Sequence, residues 1–519
     1  MTTESREREE VHRAIWAIAD QLRGAVDGWD FKNYVLGTIF YRYISERLTD
    51  YINLNQQAAG IENFDYSKMN DSDAETARES LVPEQGFFIL PSELFCNIKD
   101  SAKSDNNLNM TLEKVFRNIE NSTKGTPSEE KFTGLFADFD VNSSKLGKNV
   151  ETRNERLRKL LDGVADMNLN SDRNIDALGD SYEYLMSMYA SNAGKSGGEF
   201  FTPADVSELL TRLGTVGKNY ISKIYDPACG SGSLLLKIRK ILGDESVGEF
   251  YGQEINFTTY NLCRINMFLH GIAFDRFNIA NEDTLIHPQH WDFQPFDLIV
   301  SNPPYSISWK IDNNSTLIND PRFSPAGVLA PKSKADFAFI MHSLSWLDSN
   351  GTAAIVCFPG IMYRAGAEQK IREYLVENNF IDSVIQMPDN LFFGASIATC
   401  ILVMKKNKSD NKILFMDASD ECIKSINNNR LSHENISRIV EAFTKRENIK
   451  DFCRVVDCEE VKREDFNLSV STYVAPRDSR EKIDISQLNN EIISIVQHVN
   501  TLRDEINNLI QEITQNEQN

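Results

Sequence analysis

Apolar positions follow three rhythms along the chain, and each predicts a different kind of structure. In the first third they recur at helical spacing. Ile15, Ile18, Ala19 and Leu22 mark a helix over 10–24, and a second is expected over 31–51. Between them Asp27-Gly28-Trp29-Asp30 reads as a turn with an N-cap, and 63–76 is polar and loop-like. From about 170 to 470, short apolar runs alternate with amphipathic stretches, the pattern of a doubly wound α/β domain with a mostly parallel sheet. Seven strands are expected, at 223–225, 249–253, 296–300, 352–358, 381–386, 398–405 and 412–416. In the tail, Ile485, Leu488, Ile492, Ile495, Val499, Leu502, Ile506, Leu509 and Ile513 alternate steps of three and four. Such a seam, roughly four heptads long, predicts a coiled coil, with a helix packed on the chain's own body as the alternative. The expected domains are therefore a helical one over 1–165, an α/β domain over 170–475 and a coiled-coil helix over 480–519.

Composition narrows the class. The chain is 41% hydrophobic and 25% charged, as soluble globular proteins are. No apolar run is long enough to span a membrane, and Met1-Thr2-Thr3-Glu4-Ser5-Arg6 lacks the apolar core of a signal peptide. The eight cysteines include no C-x-x-C pair, and Cys229, Cys263, Cys357 and Cys400 lie in apolar or motif segments. Reduced thiols in a cytoplasm fit that usage, and no metal site is expected. The net charge of -21 argues against a protein that grips nucleic acid unaided, because phosphate neutralisation supplies most such affinity. If nucleic acid is the substrate, a partner is expected to bring the basic surface.

The chemistry concentrates after the apolar run Phe296-Asp297-Leu298-Ile299-Val300, where Asn302-Pro303-Pro304-Tyr305 follows at once. Two prolines end a strand, so this is a stiff loop at a strand's carboxyl end, where open α/β sheets place ligands. The loop offers an amide carbonyl, a backbone carbonyl and an aromatic face. That set suits a planar group bearing NH2, whose delocalised lone pair becomes nucleophilic when each N–H is accepted by an oxygen. A tight turn with a surface Tyr is the plainer alternative. Upstream, Asp226-Pro227-Ala228-Cys229-Gly230-Ser231-Gly232-Ser233 is a strand end, a small-residue turn and a helix start, a place for a carboxylate or phosphate. Leu235 stands where a dinucleotide fingerprint wants a third Gly, and no Gly-Lys-Ser/Thr follows. Glu254 ends the next expected strand, placed for ribose hydroxyls, and Asp283 ends another βα unit, placed for an adenine amino group. Each acid alone is more often a solvated charge or a cap.

In this order the segments resemble motifs I and IV of S-adenosylmethionine-dependent amino-methyltransferases. Gly198-Glu199-Phe200-Phe201-Thr202-Pro203 resembles the cofactor segment that precedes motif I in γ-type N6-adenine DNA methyltransferases. With the Asp27-Gly28-Trp29-Asp30-Phe31-Lys32 stretch, Lys334-Ala335-Asp336-Phe337-Ala338-Phe339 and Pro388-Asp389-Asn390-Leu391-Phe392-Phe393-Gly394, nearly the whole chain is similar to the modification (M) subunit of type I restriction–modification systems.

That resemblance implies a seven-stranded methyltransferase sheet and a set of roles. Gly198, Glu199, Phe200, Phe201, Thr202 and Pro203 flank S-adenosylmethionine; Ser231, Gly232 and Ser233 hold its methionine end, with Asp226 and Gly230 of the same motif also in the cofactor site; Glu254 takes its ribose and Asp283 its adenine. Asn302 and Pro303, stiffened by Pro304, accept the N6–H groups of an adenine flipped out of double-stranded DNA, while Tyr305 stacks on the ring. Phe392 and Phe393 are candidates for a second wall of the base pocket, or core. The implied partners are a specificity (S) subunit, with two M per S, and a restriction (R) subunit, with the heptad tail as the docking element for S. A protein glutamine-amide methyltransferase using the same Asn-Pro-Pro-Tyr chemistry is the alternative.

Overall fold

The structure, a computed structural model, describes residues 13–15, 17–18, 28–167, 202–309, 316–392, 397–425, 428–475 and 485–516. It divides into two compact units, Met1–Ala475 and Pro476–Asn519.

A nine-stranded mixed sheet organises the larger unit. Its strands are β1 (Ile221–Asp226), β2 (Val247–Gln253), β3 (Phe277–Ala280), β4 (Phe296–Ser301), β5 (Leu347–Cys357), β6 (Ile381–Gln386), β7 (Cys400–Lys405), β8 (Lys412–Asp417) and β9 (Cys453–Asp457). They lie in the order β3-β2-β1-β4-β5-β7-β6-β8-β9. Pairing is parallel from β3 through β5, while β7 runs antiparallel between β5 and β6. The seven expected strands are all present, within a few residues of their expected bounds. Two more were not expected: β3, and β9, which joins β8 antiparallel at the sheet's edge. The sheet is thus wider than the seven strands that the family resemblance implies.

Both faces of the sheet are covered, which is why its strands read as apolar runs rather than alternating ones. In β4, Leu298 and Val300 join one core, while Phe296 and Ile299 join the other. The first core is shared with the helical region: Phe40 and Phe132 pack on Phe268 of helix Phe257–Leu269, at 5.8 and 5.0 Å between ring centroids. Buried Arg264 on that helix donates to the carbonyls of Glu130, Lys131 and Thr133, at 3.0, 3.2 and 3.1 Å. A cation so deep is tolerable because backbone acceptors surround it.

The helix expected over 31–51 runs instead from Gly28 to Ala58, so Gly28-Trp29-Asp30 is its first turn and not a separate loop. Of the helix expected over 10–24, residues 13–15 and 17–18 are helical and the rest lies outside the described residues. The stretch 63–76 contains a 3-10 turn at Tyr66–Lys68 and a short helix at Asp71–Glu75. In the second unit, Ile485–Asn516 is one continuous helix on which Leu488, Ile492, Ile495, Val499, Leu502 and Ile506 are all exposed. No described helix is long and apolar enough to cross a membrane.

Candidate active site

The strand order reverses direction between β1 and β4, and the carboxyl ends of parallel strands at such a switch point form a natural crevice. Asp226 ends β1, Glu254 follows β2, Asp283 follows β3, and Asn302 follows β4. The register confirms the adjacency: Asp226 pairs with Gly252 of β2, and Tyr225 with Ile299 of β4. Residues as far apart in the chain as Asp226 and Tyr305 open on one edge only because parallel strands share a direction.

Asp226 is 1% exposed. Its Oδ1 accepts from the Ala228 N–H at 3.0 Å and from the Ser301 hydroxyl at 2.7 Å, whereas its buried Oδ2 has no hydrogen-bond partner. Burial, with Glu254 nearby as a smaller contribution, pushes its carboxyl up to about 7. The turn that follows needs left-handed backbone at Gly230 (φ 52°) and Gly232 (φ 81°). A Cβ on Gly232 would stand 2.7 Å from Cys263 Sγ, so only Gly fits there. Ser231 is buried, its carbonyl accepts from Asn266 Nδ2 at 2.9 Å, and its hydroxyl has no partner. Ser233 begins helix Ser233–Leu242.

Glu254, 8% exposed, accepts from the Gly230 N–H (3.1 Å) and the Asn256 N–H (2.8 Å), so it braces the glycine turn; burial raises its carboxyl. Asp283 caps its own turn, accepting from the Leu285 N–H at 3.0 Å. Asn281 was not anticipated: its amide donates to the carbonyls of Glu254 and Ile255 (2.8 and 3.1 Å), tying the end of β3 to the end of β2. Ile255, directly after Glu254, is 69% exposed, an apolar surface at the end of β2.

Asn302 is held at both ends. Its Nδ2 donates to Thr202 Oγ1 at 3.1 Å, and its Oδ1 accepts from the Tyr305 hydroxyl. Pro303 is buried, and Ser306, just past Tyr305, has a left-handed backbone (φ 51°) for a residue with a side chain. Asp336 offsets that strain: both its oxygens accept from the Ser306 N–H, at 3.2 and 3.1 Å. Phe392 is buried and lies edge-on to Tyr305 at 6.5 Å, 86° between planes, which makes it core packing behind that ring. Thr202 and Pro203 enter helix Ala204–Thr215. Gly198, Glu199, Phe200, Phe201 and Phe393 lie outside the described residues.

A methyl donor of the expected kind fits what is present: an orphaned buried carboxylate oxygen for a cation, an unpartnered serine hydroxyl, and a turn where Cβ atoms are excluded.

Residues 173–482 match the family model described as N-6 DNA Methylase, and residues 11–164 the HsdM N-terminal domain. The methylase subunit of the type I restriction enzyme MpnII of Mycoplasma pneumoniae is 47% identical, over 98% of this chain and 97% of its own length. That of MjaVII from Methanocaldococcus jannaschii is 34% identical over 65% of this chain and 59% of its own. Among solved structures, a type I restriction-modification system methyltransferase subunit from Streptococcus thermophilus superposes with a TM-score of 0.81 at 34% identity, covering 90% of this chain and 99% of that one.

Proposed function

The chain belongs to the N-6 DNA methylase family, among the methylase subunits of type I restriction enzymes, and on that premise we propose how its residues divide the work. The activity is adenine-specific DNA methylation at N6. S-adenosylmethionine, when bound, supplies an electrophilic methyl group on a sulfonium. Asp226 Oδ2 takes its ammonium group, the Gly230–Gly232 turn and Ser231 hydroxyl its methionine end, Glu254 its ribose, Asp283 the adenine amino group, and Ile255 the adenine face. The segment 198–203 flanks the methyl donor.

Asn302 Oδ1 and the Pro303 carbonyl accept the two N6–H groups of the target adenine. Oδ1 has a second lone pair beyond the one Tyr305 uses. Holding both N–H groups localises the nitrogen lone pair, so no strong base is required, and most of the acceleration comes from positioning and fixed carbonyl dipoles. Tyr305 supplies the stacking face, and Pro304 keeps the loop rigid. The base must leave the duplex to reach this crevice, at a cost of a few kcal/mol.

A specificity subunit selects the site and supplies the basic surface that a chain of charge -21 lacks. Two copies of this chain per specificity subunit form the methylating complex, and a restriction subunit joins it for cleavage, all in the cytoplasm. The helix Ile485–Asn516 docks on the specificity subunit. No observation favours a protein glutamine amide as the acceptor.

The observation that carries this assignment is the Asp226–Ser301–Asn302 succession, which sets an unpartnered carboxylate oxygen beside the Asn-Pro-Pro-Tyr loop. Co-expression with the neighbouring specificity subunit, followed by sequencing for 6-methyladenine, tests it. Methylated sites are expected with the wild-type chain and none with Asn302→Ala; label transferred to protein and not to DNA would overturn it.

A further inference from the structure

We propose that Thr202 is a positioning residue for methyl transfer, which sets the orientation of the Asn302 amide and makes that orientation depend on the cofactor segment. The inference rests on Asn302 being the acceptor of the target amino group.

A side-chain amide has two orientations related by a half-turn. One presents Oδ1 to the incoming N–H; the other presents NH2 to NH2 and repels it. Asn302 chooses between them through its two contacts, Nδ2 on Thr202 Oγ1 at 3.1 Å and Oδ1 on the Tyr305 hydroxyl. These contacts are not interchangeable. The phenol is the stronger donor and the weaker acceptor, because its oxygen lone pair is delocalised into the ring. The aliphatic hydroxyl of Thr202 is the better acceptor. Burial raises the Tyr305 hydroxyl well above its ordinary pKa, so it keeps its proton and donates it. Turning the amide over would set the buried phenol proton against an N–H group, the costly case of an unmet donor. Thr202 itself is 8% exposed, so water does not compete strongly for its oxygen.

The position of Thr202 is what makes the contact informative. It lies 100 residues before Asn302, at the entry to helix Ala204–Thr215 and within the segment expected to flank the methyl donor. Thr202 therefore spends its hydroxyl on the acceptor side of the reaction, although its neighbours serve the donor side. Were it a plain cofactor contact, its loss would appear in cofactor affinity. As a positioning residue, its loss appears in turnover.

The test uses the full chain assembled with its specificity subunit. Thr202→Val, which keeps the shape and removes the acceptor, is expected to lower kcat about tenfold or more while the S-adenosylmethionine Kd and the KM for DNA stay within about twofold. Thr202→Ser should recover most of the rate, and Tyr305→Phe, which keeps the ring, should show the same split. Wild-type kcat in either Thr202→Val or Tyr305→Phe overturns the proposal, as does a defect confined to cofactor affinity. If Thr202→Val fails to assemble, Tyr305→Phe decides alone. Asn302→Ala separates the levels: an active Asn302→Ala enzyme removes the premise, whereas an inactive one beside a fully active Thr202→Val enzyme removes only this inference.

Discussion

The hydroxyl of Ser301 donates to Asp226 Oδ1 at 2.7 Å, joining the last residue of β4 to the last residue of β1 across the switch point of the sheet. The bond occupies one carboxylate oxygen and leaves the other buried and unpartnered. It also fixes the residue immediately before Asn302. Donor and acceptor sides of the reaction are thereby held by two neighbouring strands of a rigid sheet, the arrangement that positioning catalysis requires.

The protonation of Asp226 gives the first prediction. Its folded-state pKa of about 7 lies above the ordinary carboxylate value of about 3.9, so the cofactor-free fold favours the protonated acid. Stability of the cofactor-free protein therefore falls as pH rises from about 4 to about 7. A bound ammonium favours the ionised form, so affinity for S-adenosylmethionine should rise with pH, by up to about tenfold per unit, and level off above about 7. Titration calorimetry between about pH 5.5 and 8.5 measures this. Asp226→Asn should bind more weakly and lose that dependence, which separates it from any contribution of Glu254, also raised by burial. A flat wild-type profile would count against a cation at Oδ2.

Asn302→Ala removes one of the two carbonyls aimed at the target. Loss of one such dipole in other enzymes costs about 10²–10³ in kcat, and a comparable or larger loss is expected here. Cofactor affinity should stay within about twofold, because Asn302 touches Thr202 and Tyr305 and none of the residues proposed to hold the methionine end. Single-turnover methylation with the specificity subunit present separates the two quantities. A loss seen only in S-adenosylmethionine binding would reassign Asn302 to the cofactor.

Much of this was legible in the chain, and the gaps have physical causes. Strands such as Phe296–Ser301 and Ile381–Gln386 are buried on both faces, and their apolar runs betray them. Phe277–Ala280 is four residues long with alternating burial, and Cys453–Asp457 is an edge strand carrying Arg454 and Asp457, so neither stands out from a loop. Asp226, Glu254, Asp283 and Asn302 lie at the ends of neighbouring strands because parallel strands bring their carboxyl ends to one edge. Ser301 and Asp336 were not assigned roles, since their partners lie 75 and 30 residues away and only the fold supplies the contact. Phe392 could be wall or core by sequence; its burial behind Tyr305 decides for core.

Gly252 tests the floor of the cofactor turn. It pairs with Asp226, and a Cβ there would lie 2.9 Å from both Cβ and Sγ of Cys229 and 3.0 Å from Ile279 Cδ1. Gly252→Ala must push the Cys229 side chain, and with it the turn to Gly232. Overpacking of this kind costs about 1–3 kcal/mol. Thermal denaturation should show that loss, and calorimetry a weaker S-adenosylmethionine affinity. Unchanged cofactor binding in a destabilised protein would mean that the turn is not part of the pocket.

The exposed seam of helix Ile485–Asn516 gives the last prediction. Ile495 and Val499, at 63% and 51% exposure, sit in the middle of its heptad pattern. A row of apolar residues left in water on a helix of 32 residues wants a partner helix, and burying each such side chain is worth about 1.5–3 kcal/mol. Ile495→Asp with Val499→Asp should therefore weaken association with the specificity subunit by at least about 100-fold, measured by sedimentation or surface binding. Cofactor affinity should not change, because every residue proposed to hold S-adenosylmethionine lies in the other compact unit, Met1–Ala475. Full-affinity assembly by a chain lacking 480–519 would rule the tail out as the docking element, and self-association lost in place of specificity-subunit binding would identify a second copy of the chain as its partner.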